Sequence, residues 1–187
     1  LLHRLSTPLG PMIAGADERA LYLLEFADRR MLETQLERVH VQTGRVAVPG
    51  VNGIILRIGE ELDAYFSGAL REFSVPLETP GSEFQRAVWD ELRRIPYGET
   101  RSYGEQARRL GQPREAVRAV ARANGDNRIA IVIPCHRVIG ADGKLTGYGG
   151  GLWRKRRLLD LERAVVHGSA LGPLFADARE TRTPGRV

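Results

Sequence analysis

At 187 residues, with 42% hydrophobic and 27% charged positions, the chain has the composition of an ordinary globular protein and room for one sizeable core or two small domains. It contains no apolar run near the roughly 18 residues that a membrane helix needs, and Leu1-Leu2-His3-Arg4 lacks the layout of a signal peptide. The net charge of +5 is uneven: residues 1–80 carry 8 Arg against 11 acids, whereas residues 81–163 carry 17 Arg and Lys against 10 acids, so the second half is the one expected to meet a polyanion.

Liberal use of Arg accounts for the overall excess as well, since Lys144 and Lys155 are the only lysines, but not for the asymmetry. Residues 1–78 read as a mixed strand and helix region. Ala20 to Phe26 has the length of a strand after a turn at Gly15 to Glu18, and Met31 to Val39 places Met31, Leu32, Leu36 and Val39 at helical spacing. Asn52 to Leu70 repeats that spacing, with Ile54, Ile55, Ile58, Leu62, Tyr65 and Phe66 forming a core stripe. Glu78 to Gly81 reads as a linker.

The second half, residues 79–163, is punctuated more sharply. Ser82 caps a helix running through Arg94, and Ser102-Tyr103-Gly104-Glu105 has the form of a capping box opening a helix to Leu110. Gly111 stops that helix and Pro113 opens another to Asn124, the pattern of a helix-turn-helix. Ile129 to Ile133 reads as a buried strand, Asp142-Gly143 as a hairpin turn, and Leu152 to Arg163 as a last helix. The stretch 164–187, with Thr183-Pro184-Gly185, is expected to be a flexible tail.

One cysteine excludes an internal disulfide and accords with a reducing, cytoplasmic setting. A lone cysteine after an apolar run is ordinarily a small buried hydrophobe. Here Pro134 breaks the run and His136 follows Cys135, holding a thiol and an imidazole at one rigid bend. A thiolate attacks soft carbon far better than a thiol, and a nearby base supplies it.

Pro134-Cys135-His136-Arg137-Val138 resembles the active-site motif of the O6-alkylguanine-DNA alkyltransferases. Asn127, eight residues earlier, resembles that family's loop asparagine, and Arg118-Ala119-Val120 its recognition helix. Ile95 to Tyr103 and Tyr148-Gly149-Gly150-Gly151 through Glu162 resemble further segments, so the likeness is strong from about Thr79 to Glu162 and weaker before.

The resemblance implies an α+β chain, with a small ribonuclease H-like N-terminal sheet domain and a winged-helix-like C-terminal domain. It implies a single, irreversible transfer of an alkyl group to Cys135 from O6-alkylguanine, with O4-alkylthymine as a second candidate substrate, in double-stranded DNA. His136 would be the general base, Glu162 its orienting partner, Asn127 the brace of the turn, and Tyr103 the proton donor to guanine N3. Arg118 would enter the duplex behind the extruded base, with Tyr103, Ala119 and Arg122 on the DNA through the minor groove. Tyr148, Gly149 and Pro134 would line the pocket, and the protein would act as a monomer without cofactor. Arg128 stands where many members have Pro, as in the repair domain of the adaptive-response regulator. Gly149 stands where some have Ser, so one hydrogen bond to the base would be missing. No zinc is expected, because the first half has no cysteine and His3, His40 and His167 are scattered. Three other readings compete: the repair part of a longer regulator, left open by a start without Met; a damage-binding relative without catalysis, which replaces the cysteine; and a Cys-His hydrolase, which no further motif supports.

Overall fold

The computed structural model describes residues 1–30 and 32–175. Strands β1 (Leu2–Leu5), β2 (Met12–Ala16) and β3 (Leu21–Phe26) form an antiparallel sheet in chain order. Asp17 closes the β2–β3 turn by accepting hydrogen bonds from the Arg19 and Ala20 amides. Pairing steps by an extra residue between Gly15–Leu23 and Ala16–Leu21. Tyr22 and Leu23 therefore pack with Val39 of helix α1 (Leu32–Thr43), whereas Leu21, Leu24 and Phe26 join the main core. Two packed clusters thus take up the side chains of β3, which is why all of it is buried and its sequence shows no alternation.

The free edge of β3 is not left open. The Leu21 amide donates to Pro76 O and Leu21 O accepts from the Glu78 amide, while Leu24 exchanges backbone hydrogen bonds of 2.8 and 2.7 Å with Arg128 and Ala130. One strand of the N-terminal half thus holds both the linker and the turn that precedes Cys135. Helix α2 (Gly53–Phe66), capped by Asn52, lays its Ile55, Ile58, Leu62, Tyr65 and Phe66 stripe into the same core.

The C-terminal half is helical. Helices α3 (Glu83–Arg93) and α4 (Tyr103–Arg109) each begin with a complete capping box, from Ser82 with Gln85 and from Ser102 with Glu105. Gly111, at φ +66°, makes the turn to a 3-10 segment (Arg114–Ala116) and helix α5 (Val117–Gly125). Buried Gln106 and Asn124 exchange side-chain hydrogen bonds of 3.1 and 2.7 Å and lock α4 to α5. Trp89 of α3 donates to Ala123 O. Strands β4 (Arg101–Ser102) and β5 (Val138–Ile139) form a short parallel pair, and helix α6 (Leu152–His167) closes the fold. This mixed α/β architecture, with an N-terminal sheet and a helical C-terminal half, is the one the sequence led us to expect.

Three details depart from expectation. Ile129 to Ile133 is not a strand but a tight turn: only Ile129 bridges to Leu24, and Ile131 stands at φ +72°. Its apolar side chains reflect burial rather than pairing. Asp142-Gly143 lies in a turn closed by the Gly140 amide on Lys144 O, but β5 pairs with β4 in parallel, so no hairpin forms. The stretch expected to be a flexible tail from 164 is helical to His167, and Phe175 stacks on Phe66 with ring centroids 6.0 Å apart. Residues 176–187 lie outside those described. Among the described residues, no helix is long and apolar enough to cross a membrane.

Candidate active site

Cys135 begins a 3-10 turn (Cys135–Arg137) directly after buried Pro134. The turn before it is held by one side chain. Asn127 Oδ1 accepts from the Ile129 amide at 3.0 Å, and its Nδ2 donates to Ile133 O at 2.9 Å and to Cys135 Sγ at 3.3 Å. A β-branched residue in the left-handed region costs on the order of 1–3 kcal/mol and persists only where its surroundings fix it. The Asn127 hydrogen bonds on both sides of Ile131 do that.

Around the histidine the arrangement is denser. Glu162, fully buried on α6, accepts from His136 Nε2 at 2.8 Å, Tyr65 OH at 2.7 Å and the Gly98 amide at 2.9 Å. Arg137 adds Nε and Nη2 at 2.9 Å each, and its Nη1 donates to Ile95 O. An ionised carboxylate only accepts, so His136 Nε2 must carry the proton and Nδ1 keeps its lone pair. Among the described residues Nδ1 is buried without a partner. Burial opposes ionisation of Glu162, but the His136 and Arg137 partners and their hydrogen bonds outweigh it and hold the carboxyl well below its ordinary range. Burial lowers the His136 imidazole below its ordinary value despite Glu162, so it is neutral near pH 7. Burial also raises the Cys135 thiol, against the hydrogen bond from Asn127.

The remaining expected residues divide between the thiol and the surface. Tyr103 opens α4 and donates to Thr146 O at 3.2 Å. Tyr148 stands edge-on to the His136 ring at 6.5 Å, with its hydroxyl buried and unpartnered. Arg118, Ala119 and Arg122 lie on the exposed face of α5, opposite buried Val120, Ala123 and Asn124. Against Gly149 lies the Arg29 guanidinium, its Cζ 2.7 Å from where a Cβ would stand. Arg128 is buried and bonds Gln35 and Gln42 of α1 and Pro80 O, fastening the site turn to the N-terminal half.

Sequence reasoning passed over three residues of this site. Arg137 stood inside the motif, and its charge beside a buried glutamate was the available signal. Tyr65 carried none, since its core spacing hides a hydroxyl that meets a residue 97 positions away. Lys155 was likewise unmarked. It is fully buried and donates to Val138, Thr146 and Gly147 carbonyls, and burial lowers it to about 8.

The chain is similar to several known proteins. Residues 83–164 match the family model described as 6-O-methylguanine DNA methyltransferase, DNA binding domain. A methylated-DNA–protein-cysteine methyltransferase of Mycolicibacterium paratuberculosis is 67% identical over 116 residues, 62% of this chain and 68% of that one. Its namesake from Mycobacterium leprae is 46% identical over 162 residues, 87% of this chain and 92% of that one. Among solved structures, the Mycobacterium tuberculosis OGT in complex with DNA superposes with a TM-score of 0.75 at 44% identity, covering 88% of this chain and 93% of that one. On this evidence the chain belongs to the methylated-DNA–protein-cysteine methyltransferase family.

Proposed function

We propose that this protein repairs alkylated DNA directly, taking an alkyl group from O6-alkylguanine onto Cys135 in one irreversible step. The observation that carries the reading is the buried His136–Glu162 pair, with His136 in the same 3-10 turn as Cys135 and its Nδ1 unpartnered among the described residues. Nδ1 accepts the thiol proton, directly or across one water, and Glu162 with Arg137 behind it steadies the imidazolium. The new S–C bond forms as the C–O6 bond breaks, Tyr103 delivers a proton to the departing guanine, and the imidazolium gives up its proton to solvent as the Tyr103 phenolate takes one back. Net, one proton moves from the thiol to the base. The thioether offers water no leaving group, and the chain has no second thiol to resolve it.

The base must leave the stack to reach a half-buried thiol near Tyr148, at a cost of a few kcal/mol. Arg118, exposed on α5, fills the vacated space, while Ala119 lets the helix approach a minor groove and Arg122 meets phosphate. The protein binds as a monomer in this reading. The test is intact mass after incubation with a duplex carrying O6-methylguanine. One methyl should replace the thiol hydrogen on the peptide containing Cys135, and product should stop at one equivalent. Cys135→Ala should retain DNA binding and transfer nothing. Demethylation by that variant, or sustained turnover, would exclude the reading.

A further inference from the structure

A buried ion pair from the N-terminal half stands beside the thiol, in a place the mechanism does not use. Glu25, on β3, is 1% exposed and pairs with Arg29, whose side chain is 7% exposed. Arg29 also donates to Asn127 O at 3.0 Å and Gly125 O at 2.6 Å, so acceptors on β3, the end of α5 and the site turn fix its guanidinium. Asn127 is the residue whose amide reaches Cys135 Sγ. On its other side Arg29 lies against Gly149, within 2.7 to 3.0 Å of the missing Cβ. Among the described residues Tyr148 OH and Glu25 Oε2 are buried without a side-chain partner, and the charges of Glu25 and Arg29 act on both the Tyr148 hydroxyl and the Cys135 thiol.

We infer that Arg29, clamped by Glu25, is a specificity-determining wall of the alkyl pocket that limits the transferred group to small ones. The inference rests on Cys135 being the alkyl acceptor. A flexible apolar wall could rotate away from a larger group, but this one cannot. Moving the guanidinium strips hydrogen bonds from Glu25 and two carbonyls and leaves a carboxylate unpaired where water is excluded, a penalty far above that of shifting an apolar side chain. A methyl fits beside a fixed guanidinium, whereas an aromatic ring must displace it. The glycine at 149 follows from the same wall, since any side chain there would collide with Arg29.

The test compares two duplexes, identical except for O6-methylguanine or O6-benzylguanine, and reads the ratio of single-turnover transfer rates, benzyl over methyl. Glu25→Leu/Arg29→Ala removes the pair together, so that no lone charge is left to unfold the sheet. It should raise the ratio at least tenfold over the parent protein. Arg29→Lys keeps the charge but cannot reach all three acceptors at once, and should raise the ratio about threefold. It also supplies the reading if the double variant does not fold. An unchanged ratio in Arg29→Lys and the double variant, or a parallel fall on both duplexes, would overturn the inference while leaving Cys135 as acceptor. Absence of methyl transfer by the parent protein would instead overturn the reading on which it rests.

Discussion

Two glutamates flank the reactive cysteine, both removed from solvent, and they behave in opposite ways. Glu162 is 0% exposed and Glu25 is 1% exposed, so burial alone penalises their charges equally. Glu162 has a guanidinium, an imidazole, a phenol and a backbone amide directed at its oxygens, and its carboxyl is held below the usual range. Glu25 has Arg29 and the Phe26 amide beside it and no further side-chain donor among the described residues, and burial raises it to about 7 against them. Depth therefore does not decide the charge state of a buried carboxylate; the count and placement of donors does. In the proposed reaction the saturated glutamate anchors the base, and in the inference drawn above the undersaturated one belongs to a wall.

The most damaging way to test this contrast is to neutralise the saturated member. Glu162→Gln leaves Arg137 charged and buried, with its partner gone, and turns a carboxylate acceptor into an amide that must also place two donors. Breaking a buried pair of this kind costs about 3–5 kcal/mol. Transfer from methylated duplex should fall at least a hundredfold, because the imidazole loses both its orientation and its stabilising charge. Urea unfolding and single-turnover rates measure the two effects. A variant of parental stability and rate would show that Arg137, rather than Glu162, organises the site.

A smaller and subtler effect lies in acid. His136 is depressed below its ordinary value, so its contribution to stability is lost as pH falls through the unfolded value near 6.5. Glu25 is raised to about 7, so the fold gains stability as pH falls from 7 towards its unfolded value of 4.5. These slopes oppose each other between pH 7 and 5. Glu162, held low, adds its own loss only below about 4.5. In Glu25→Leu/Arg29→Ala the offsetting slope is gone. That variant should lose on the order of 1–2 kcal/mol more than the parent on moving from pH 7 to 5, measured by urea midpoints. Parallel pH profiles would mean that Glu25 ionises in the fold as it does in water. The transfer rate of the parent should also fall in acid, as protonated His136 ceases to accept the thiol proton.

How much of this contrast could be read from the sequence follows from what each glutamate touches. Glu162 is legible only through the resemblance of the segment from Tyr148 to Glu162 to a known family, since nothing local distinguishes it from a solvated helix residue, whereas Ser82, Ser102, Gly111 and Pro113 mark helix ends by local chemistry. Caps and turns depend on neighbours a few residues away, and they were legible. Glu25 lies in an apolar run, Ala20 to Phe26, where its importance arises from Arg29, Gly125, Asn127 and Gly149 arriving from distant parts of the chain. The same limit misled the reading of Ile129 to Ile133. Five apolar residues look alike whether a strand pairs them or a tight turn buries them, and here the turn is imposed by Asn127 and by the edge of β3. Gly149 was noted as a lost hydrogen bond, though only the fold reveals the arginine that requires it.

The smallest expected effect on rate isolates one donor from the saturated set. Tyr65→Phe removes the hydroxyl 2.7 Å from Glu162 Oε1 and leaves the ring among Phe66, Phe73 and Tyr97. The oxygen it leaves keeps His136 and Arg137, so no buried acceptor is orphaned, and the change removes only the net worth of one hydrogen bond to a charged group, about 1.5–3 kcal/mol at most. His136 keeps its orientation through its own bond to the same oxygen, so transfer should slow by less than about threefold, in keeping with a donor that acts at one remove. The carboxyl rises slightly but stays ionised at neutral pH, because the Arg137 fork is untouched. If Tyr65→Phe instead costs as much in rate as Glu162→Gln, the phenol is a working member of the relay, and the saturation of Glu162 is a requirement of the chemistry rather than of the fold.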